Sequence, residues 1–339
     1  MKVVKNRETE AFFRRCRKNL ENDRKNAFLG MTVTAQTEDK VRRDMGKAGI
    51  PEFAGSKEQW PSLFLSSAQY CKTPYHANID LPAAASGNLR YERLVIPAGE
   101  IFNAEAIHKD PERELNDWMR LRAMDEPLEA GFLYEGEKVW MMDSPSEALT
   151  NDPPAEKAHG KVITFGLGIG YFVYMALLNP AVESVTVVEQ SPEVIRLFEQ
   201  YVLPKIQRKD QVRIIEGDAF DCFTEEFLKD FDYIYADIWQ SGEDGLEILA
   251  GLLPQYLPEE EKADFWIEDT IMETVWTISC LHMEELCYGK RIPVAADLEW
   301  LHDLVVYHFE KEDRTVSTEA ELKDLIYDRQ RLRRILAGR

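Results

Sequence analysis

Residues 161–175 read KVITFGLGIGYFVYM and residues 185–195 read VTVVEQSPEVI. The first stretch is a short apolar run, a turn with glycine at every second position, and a second apolar run that continues at helical length. The second is an apolar run that closes on a carboxylate and then meets Ser-Pro, a helix-start signal. From here the pattern repeats: strand (Val162 to Phe165), helix to about Leu178, strand (Val185 to Glu189), helix (Pro192 to Val202), strand (Val212 to Glu216), a short helix, strand (Tyr233 to Asp237), helix (Gly245 to Tyr256) and strand (Asp264 to Ile267). Alternating elements of these lengths predict a Rossmann-like α/β fold, a doubly wound, mostly parallel sheet with helices on both faces.

In such sheets a ligand lies beyond the carboxyl ends of the strands, where strand order reverses. Gly166-Leu167-Gly168-Ile169-Gly170 falls at that rim, where glycines let backbone approach a ligand and the next helix presents free amides. A dinucleotide fingerprint needs a third small residue three positions beyond the second glycine. That position is Tyr171 in one frame and Val173 in the other, which argues against NAD or FAD. Glu189 ends the next strand, about twenty residues on, where a carboxylate can accept from both ribose hydroxyls. The third strand runs into Glu216-Gly217-Asp218-Ala219, and Asp218 there reads either as an acceptor for an adenine amino group or as the N-cap of the next helix. The fourth delivers Asp237-Ile238-Trp239 to the same rim.

Taken together these four strand ends resemble the class I S-adenosylmethionine-dependent methyltransferases, and within them the spermidine-synthase-like branch, over roughly residues 131–270. Val188-Glu189-Gln190-Ser191-Pro192-Glu193-Val194-Ile195 is similar to the second-strand motif of that group, and Glu216-Gly217-Asp218-Ala219 to its adenine-side motif. The resemblance implies S-adenosylmethionine as cofactor, held by Gly166, Leu167, Gly168, Gly170 and Tyr171, by Glu189 with Gln190, by Asp218 with Ala219, and by Asp237. It also implies a transferase with a small-molecule acceptor, Asp237 being the catalytic candidate because a carboxylate at the reacting end can orient or deprotonate an amine or hydroxyl. Two departures bear on the chemistry. Thr164 stands where many methyltransferases carry an acid, and Gln240 stands where aminopropyltransferases carry a second aspartate. Methyl transfer is therefore the first reading. Aminopropyl transfer from decarboxylated S-adenosylmethionine, and cofactor binding without turnover, are the alternatives. Pro145, Glu147 and Thr150 read either as a cover over the reacting group or as an ordinary capped helix start.

Outside this unit the sequence is less regular. Apolar spacing predicts helices over Glu8–Leu29 and Thr37–Ala48, a strand over Tyr91–Ile101, a helix over Pro111–Met124, and a hairpin from Gly131–Tyr134 and Lys138–Met142. Ser144–Ala158 reads as a loop and short helix interrupted by Pro153-Pro154. Asp297–Phe309 and Glu319–Leu336 read as helices, the second long, amphipathic and suited to capping the fold or to a homodimer contact. The expected division is an accessory helical and mixed region (1–130), the cofactor domain (131–310) and a C-terminal helix (311–339).

With 339 residues, 45% of them hydrophobic, and a net charge of −20, the composition is that of a globular chain that buries a sizeable core and lacks the basic surface that grips nucleic acid. Nine Lys or Arg against four Asp or Glu in residues 1–26 make the start locally basic, read as a solvated helix face. Five scattered cysteines and no long apolar run predict a reduced, cytoplasmic protein with no membrane segment. No metal site is expected: Cys280 and Cys287 are seven residues apart on one helix face, with His282 off it and no fourth ligand.

Overall fold

The computed structural model describes residues 1–20, 25–104 and 120–339. Its centre is a five-stranded sheet, all parallel, built from Gly160–Phe165, Val182–Glu189, Val212–Glu216, Tyr233–Ala236 and Ala263–Phe265. Numbered in chain order these lie 3-2-1-4-5, so the order reverses between the Gly160–Phe165 and Tyr233–Ala236 strands. This is a Rossmann-like, doubly wound α/β fold.

The two-residue period of a strand sends its side chains to two separate cores. Val162, Val185, Val187, Tyr233 and Tyr235 pack on one face, beneath helices Pro145–Lys157, Tyr171–Leu178 and Pro192–Tyr201. Ile163, Phe165, Val188, Ile234 and Ala236 pack on the other, against Gly242–Leu252, the long helix Glu268–Tyr288 and the C-terminal helices.

Against the first face lies a four-stranded antiparallel sheet, Ala84–Ser86, Leu89–Ile96, Leu128–Glu135 and Lys138–Met142, whose inward residues Leu89, Tyr91 and Leu133 join the same core. The expected hairpin is its last pair. The strand expected to reach Ile101 stops at Ile96, where Pro97 has no amide to donate. A smaller cluster around Met45, Phe53, Ile101 and Leu121 holds the rest of the accessory region together.

Several local expectations differ from the structure. Most of the helix expected over Pro111–Met124 lies outside the described residues, and its last part, Leu121–Met124, is a strand. The first helix is Arg7–Leu20; residues 21–24 lie outside the description, and Asn26–Phe28 is a single 3₁₀ turn. The helix Pro145–Lys157 runs straight through Pro153 and Pro154. Its last carbonyls, on Ala155, Glu156 and Ala158, accept from Asn179 Nδ2 at 2.8–3.2 Å, which secures an end the prolines would loosen.

The expected long C-terminal helix is two, Glu319–Ile326 and Arg329–Leu336, divided at Asp328, whose side chain caps the second by accepting from Arg331 N–H. Leu322, Leu325 and Ile326 form one apolar stripe and Leu332, Ile335 and Leu336 another. On one straight helix ten residues of offset would turn these stripes about 80° apart. The break lets both face the same core, so these stripes pack inside the chain as a cap on the fold.

The chain's first and last parts meet here. Lys2–Val3 pairs in parallel with Thr315–Val316, and the first helix adds Phe12, Phe13 and Cys16 to the C-terminal core. Two of its basic residues are paired, Arg15 with Glu319 and Arg17 with Glu284. Among the described residues no helix is long and apolar enough to cross a membrane.

Candidate active site

At the carboxyl ends of the strands, where their order reverses, opens a cavity of about 1000 Å³. Gly166, Leu167, Gly168, Tyr171, Glu189, Gln190, Asp218, Ala219 and Asp237 all lie in its wall. Gly170 does not. It begins the helix after the turn at φ +76°, and a Cβ there would stand 2.5 Å from the Phe198 ring, so glycine is required here for helix packing.

The other two glycines shape the floor. At Gly166 (φ +92°) a Cβ would lie 2.0 Å from the Asp237 carbonyl oxygen, so only glycine lets the first and fourth strand ends approach this closely. At Gly168 (φ +50°) the same space is filled by the Met141 thioether, and Met141 Sδ accepts from Ile169 N–H at 3.0 Å. The hairpin thus seats a flexible, polarizable side chain on the turn.

Glu189 is fixed by the backbone it faces. Its Oε2 accepts from Leu167 N–H at 3.0 Å and its Oε1 from Ser191 N–H at 2.8 Å. Burial raises its pKa, and these amide bonds work against the rise. Glu189→Gln is expected to weaken cofactor binding about 10-fold or more by calorimetry, and to lower stability by about 1 kcal/mol, because an amide cannot accept both backbone bonds. Undiminished affinity would remove Glu189 from the site.

Asp218 takes one of the two roles read from the sequence, capping Ala219–Cys222 by accepting from Phe220 N–H at 2.8 Å, and it also lies in the cavity wall. Tyr171 is nearly buried, its ring 4.8 Å from that of Tyr75 and its hydroxyl donating to Asp152, so packing accounts for most of it. Trp239 likewise donates to the Trp266 carbonyl while lining the cavity.

The sequence reading weighed Glu147 only as a possible cover. In the structure it stands beside Asp237, and both are half-buried in the cavity wall. Burial, then the charges of Asp237 and Asp143, hold the Glu147 carboxyl well above the usual carboxylate range, and burial pushes Asp237 up to about 7. Glu147 Oε1 accepts from Asn151 Nδ2 at 2.9 Å, and Asn151 Oδ1 accepts from Tyr235 O–H at 2.9 Å, which ties the helix to the strand that delivers Asp237. Behind them Asp143 accepts from Tyr70 O–H at 2.7 Å and contacts His76 Nδ1 at 2.6 Å.

Seven carboxylates line the cavity: Glu100, Glu135, Glu147, Glu189, Glu193, Asp218 and Asp237. Among the described residues no Lys, Arg or His side chain joins that wall. Gln240 lines it too, and its Nε2 is buried with no hydrogen-bond partner in the protein. A cavity so charged favours a cationic guest. Asn88, Ile96, Pro97 and Phe102 of the accessory region complete the wall, residues that no spacing in the sequence marks.

No protein-family model matches the sequence, and no curated protein matches it. Among solved structures the chain is similar to the spermidine synthase from Thermotoga maritima, with 14% identity and a TM-score of 0.30. The match spans 51% of this chain and 51% of that one, so about half the length of that protein is represented.

Proposed function

We propose that this chain is a group transferase that binds S-adenosylmethionine in the cavity and transfers its methyl group to an amine-bearing small molecule. The observation that carries the reading is the wall of carboxylates without a basic side chain, with Asp237 and Glu147 adjacent at its floor. In this reading Glu189 and Gln190 hold the ribose, Asp218 and Ala219 the adenine, and the glycine turn the body of the cofactor. Negative charge stabilises both the sulfonium and an incoming ammonium.

An alkylammonium ion has no lone pair and must lose a proton before it attacks. A carboxylate titrating near 7 is well matched to take it at neutral pH. The amine nitrogen then forms its bond to the methyl carbon as the carbon–sulfur bond breaks and its electron pair returns to sulfur. The products are a methylated amine and S-adenosylhomocysteine, with the proton on the Asp237–Glu147 pair. Much of the acceleration comes from alignment and exclusion of water.

Aminopropyl transfer is the second reading, favoured by one feature: among the described residues no basic side chain is present in the wall for the cofactor's own carboxylate. Gln240 favours the first, since its unpartnered amide nitrogen can donate to a ligand oxygen, whereas an aspartate there would hold a polyamine. The test is calorimetry with S-adenosylmethionine, S-adenosylhomocysteine, decarboxylated S-adenosylmethionine and NADH in separate runs, followed by product analysis with a panel of amines. S-adenosylhomocysteine formed in step with a methylated amine supports the proposal. Methylthioadenosine moves the assignment to aminopropyl transfer, and cofactor that is bound but never consumed moves it to a binding protein.

A further inference from the structure

Away from the cavity, between the long helix Glu268–Tyr288 and the helix Glu299–Glu310, three ligand-type side chains converge: His282, Glu285 and His302. The ligating atoms all lie within 4.8 Å of one another. His282 Nδ1 is 3.1 Å and His302 Nε2 3.0 Å from the same carboxylate oxygen, Glu285 Oε2. We propose that this cluster is a binding site for one divalent transition-metal ion of the zinc type.

Spacing is the first argument. Ligands bound to zinc at about 2.0–2.1 Å in a tetrahedron stand about 3.3 Å apart, close to the 3.1 and 3.0 Å from Glu285 Oε2 to the two rings, and the three ligand atoms need to close in only from within 4.8 Å of one another. Two imidazoles and a carboxylate are also a donor set suited to zinc and its first-row neighbours rather than to magnesium or calcium, which prefer oxygen.

Preorganisation is the second. Glu285 Oε1 accepts from Ile292 N–H at 2.8 Å, which turns Oε2 toward both rings. His282 and Glu285 stand one helical turn apart on the same face, and His302 reaches them from the neighbouring helix. Phe309 stacks on the His282 ring at 6.1 Å, and His302 is fully buried, so bulk water competes little with the ligands.

Two features limit the affinity. Arg291 Nε stands 3.8 Å from Glu285 Oε1, and its exposed side chain must tolerate a second cation nearby. His302 Nδ1 is buried without a partner, so the hydrogen bond that usually orients a ligating imidazole from behind is missing. Loss of such a bond typically costs about 10–100-fold in metal affinity. Three protein ligands leave one position of a tetrahedral ion for water.

The test uses the full-length protein after chelator treatment, titrated with Co²⁺ by visible absorption and with Zn²⁺ by calorimetry. One equivalent of each is expected, Co²⁺ giving the visible bands of a four-coordinate ion, with binding weakened at least 10-fold in His302→Asn and in Glu285→Gln. Should His302→Asn, at the fully buried position, fail to fold, Glu285→Gln, at the one ligand that is only partly buried, asks the same question. No binding by the folded wild-type protein overturns the proposal. So does binding that persists undiminished in the folded variants, since the ion would then lie elsewhere, the carboxylates of the cavity included.

Discussion

Asp237→Asn is expected to slow group transfer by about 10²–10⁴-fold, the range typical of removing a positioned general base, while leaving cofactor affinity within a few-fold. The same change is expected to raise the melting temperature above pH 7. The sign follows from the direction of the pKa shift. Burial pushes the Asp237 carboxyl up to about 7 from an ordinary value of 3.8, so the folded protein holds this proton more tightly than the unfolded chain does. The stabilisation linked to that proton is complete below the ordinary value and is lost as pH rises through about 7. At pH 8 the wild type therefore carries a buried charge beside Glu147, and the neutral amide does not.

Rate and stability then separate in opposite directions, an outcome that a merely structural aspartate would not give. Transfer by the wild type should also fall on acidification, with an acid limb near pH 7 that belongs to the Asp237–Glu147 pair as a unit. Single-turnover rates across pH, with thermal melts at pH 6 and pH 8, measure both halves. Wild-type rates in Asp237→Asn would dismiss the general-base role, and an unchanged melting temperature at pH 8 would dismiss the buried charge.

Arg333→Ala carries the largest expected loss of stability, about 3–5 kcal/mol. Arg333 is fully buried, and its Nε and Nη2 donate to the two oxygens of Glu268 at 2.7 Å each. Nη2 also donates to the Ala263 carbonyl at 2.9 Å, so one guanidinium joins the last helix to the fifth strand of the sheet and to the start of the long helix. Alanine leaves a cavity and strands the Glu268 carboxylate without its counter-charge. Arg333→Met combined with Glu268→Gln removes both charges and is expected to cost clearly less than Arg333→Ala alone. Urea unfolding of the three proteins decides it, and a loss below about 1 kcal/mol in the alanine variant would mean that the pair contributes little.

The parallel sheet was legible because its strands are apolar on both faces and each ends in punctuation: glycines after Phe165, a carboxylate at Glu189, Gly217-Asp218 after the third. Those signals are local, and one sequence window holds each of them. Glu147 was harder to read because its meaning depends on Asp237, ninety residues away, and its own window looks like any capped helix start. Met141 could not be found at all, since the space it fills exists only once Gly168 is placed. The C-terminal segment was misread for a different reason: its charge pattern is helical throughout, and only the angle between its two apolar stripes requires a break. The grouping of His282 and Glu285 with His302 was out of reach for a similar reason, since His302 comes from another helix.

The pairing of Lys2–Val3 with Thr315–Val316 has a consequence for how the protein is made. At about 5–20 residues per second, the ribosome needs roughly 15–60 seconds after the first strand emerges to deliver its partner. Through that interval the apolar side chains of the first helix, Phe12, Phe13 and Cys16, have no core to enter, because the C-terminal helices that cover them do not yet exist. The nascent chain must keep this segment shielded or weakly docked. A pause or truncation late in translation would release a polypeptide whose central sheet is complete but whose opening helix is exposed, the kind of species that holding chaperones capture.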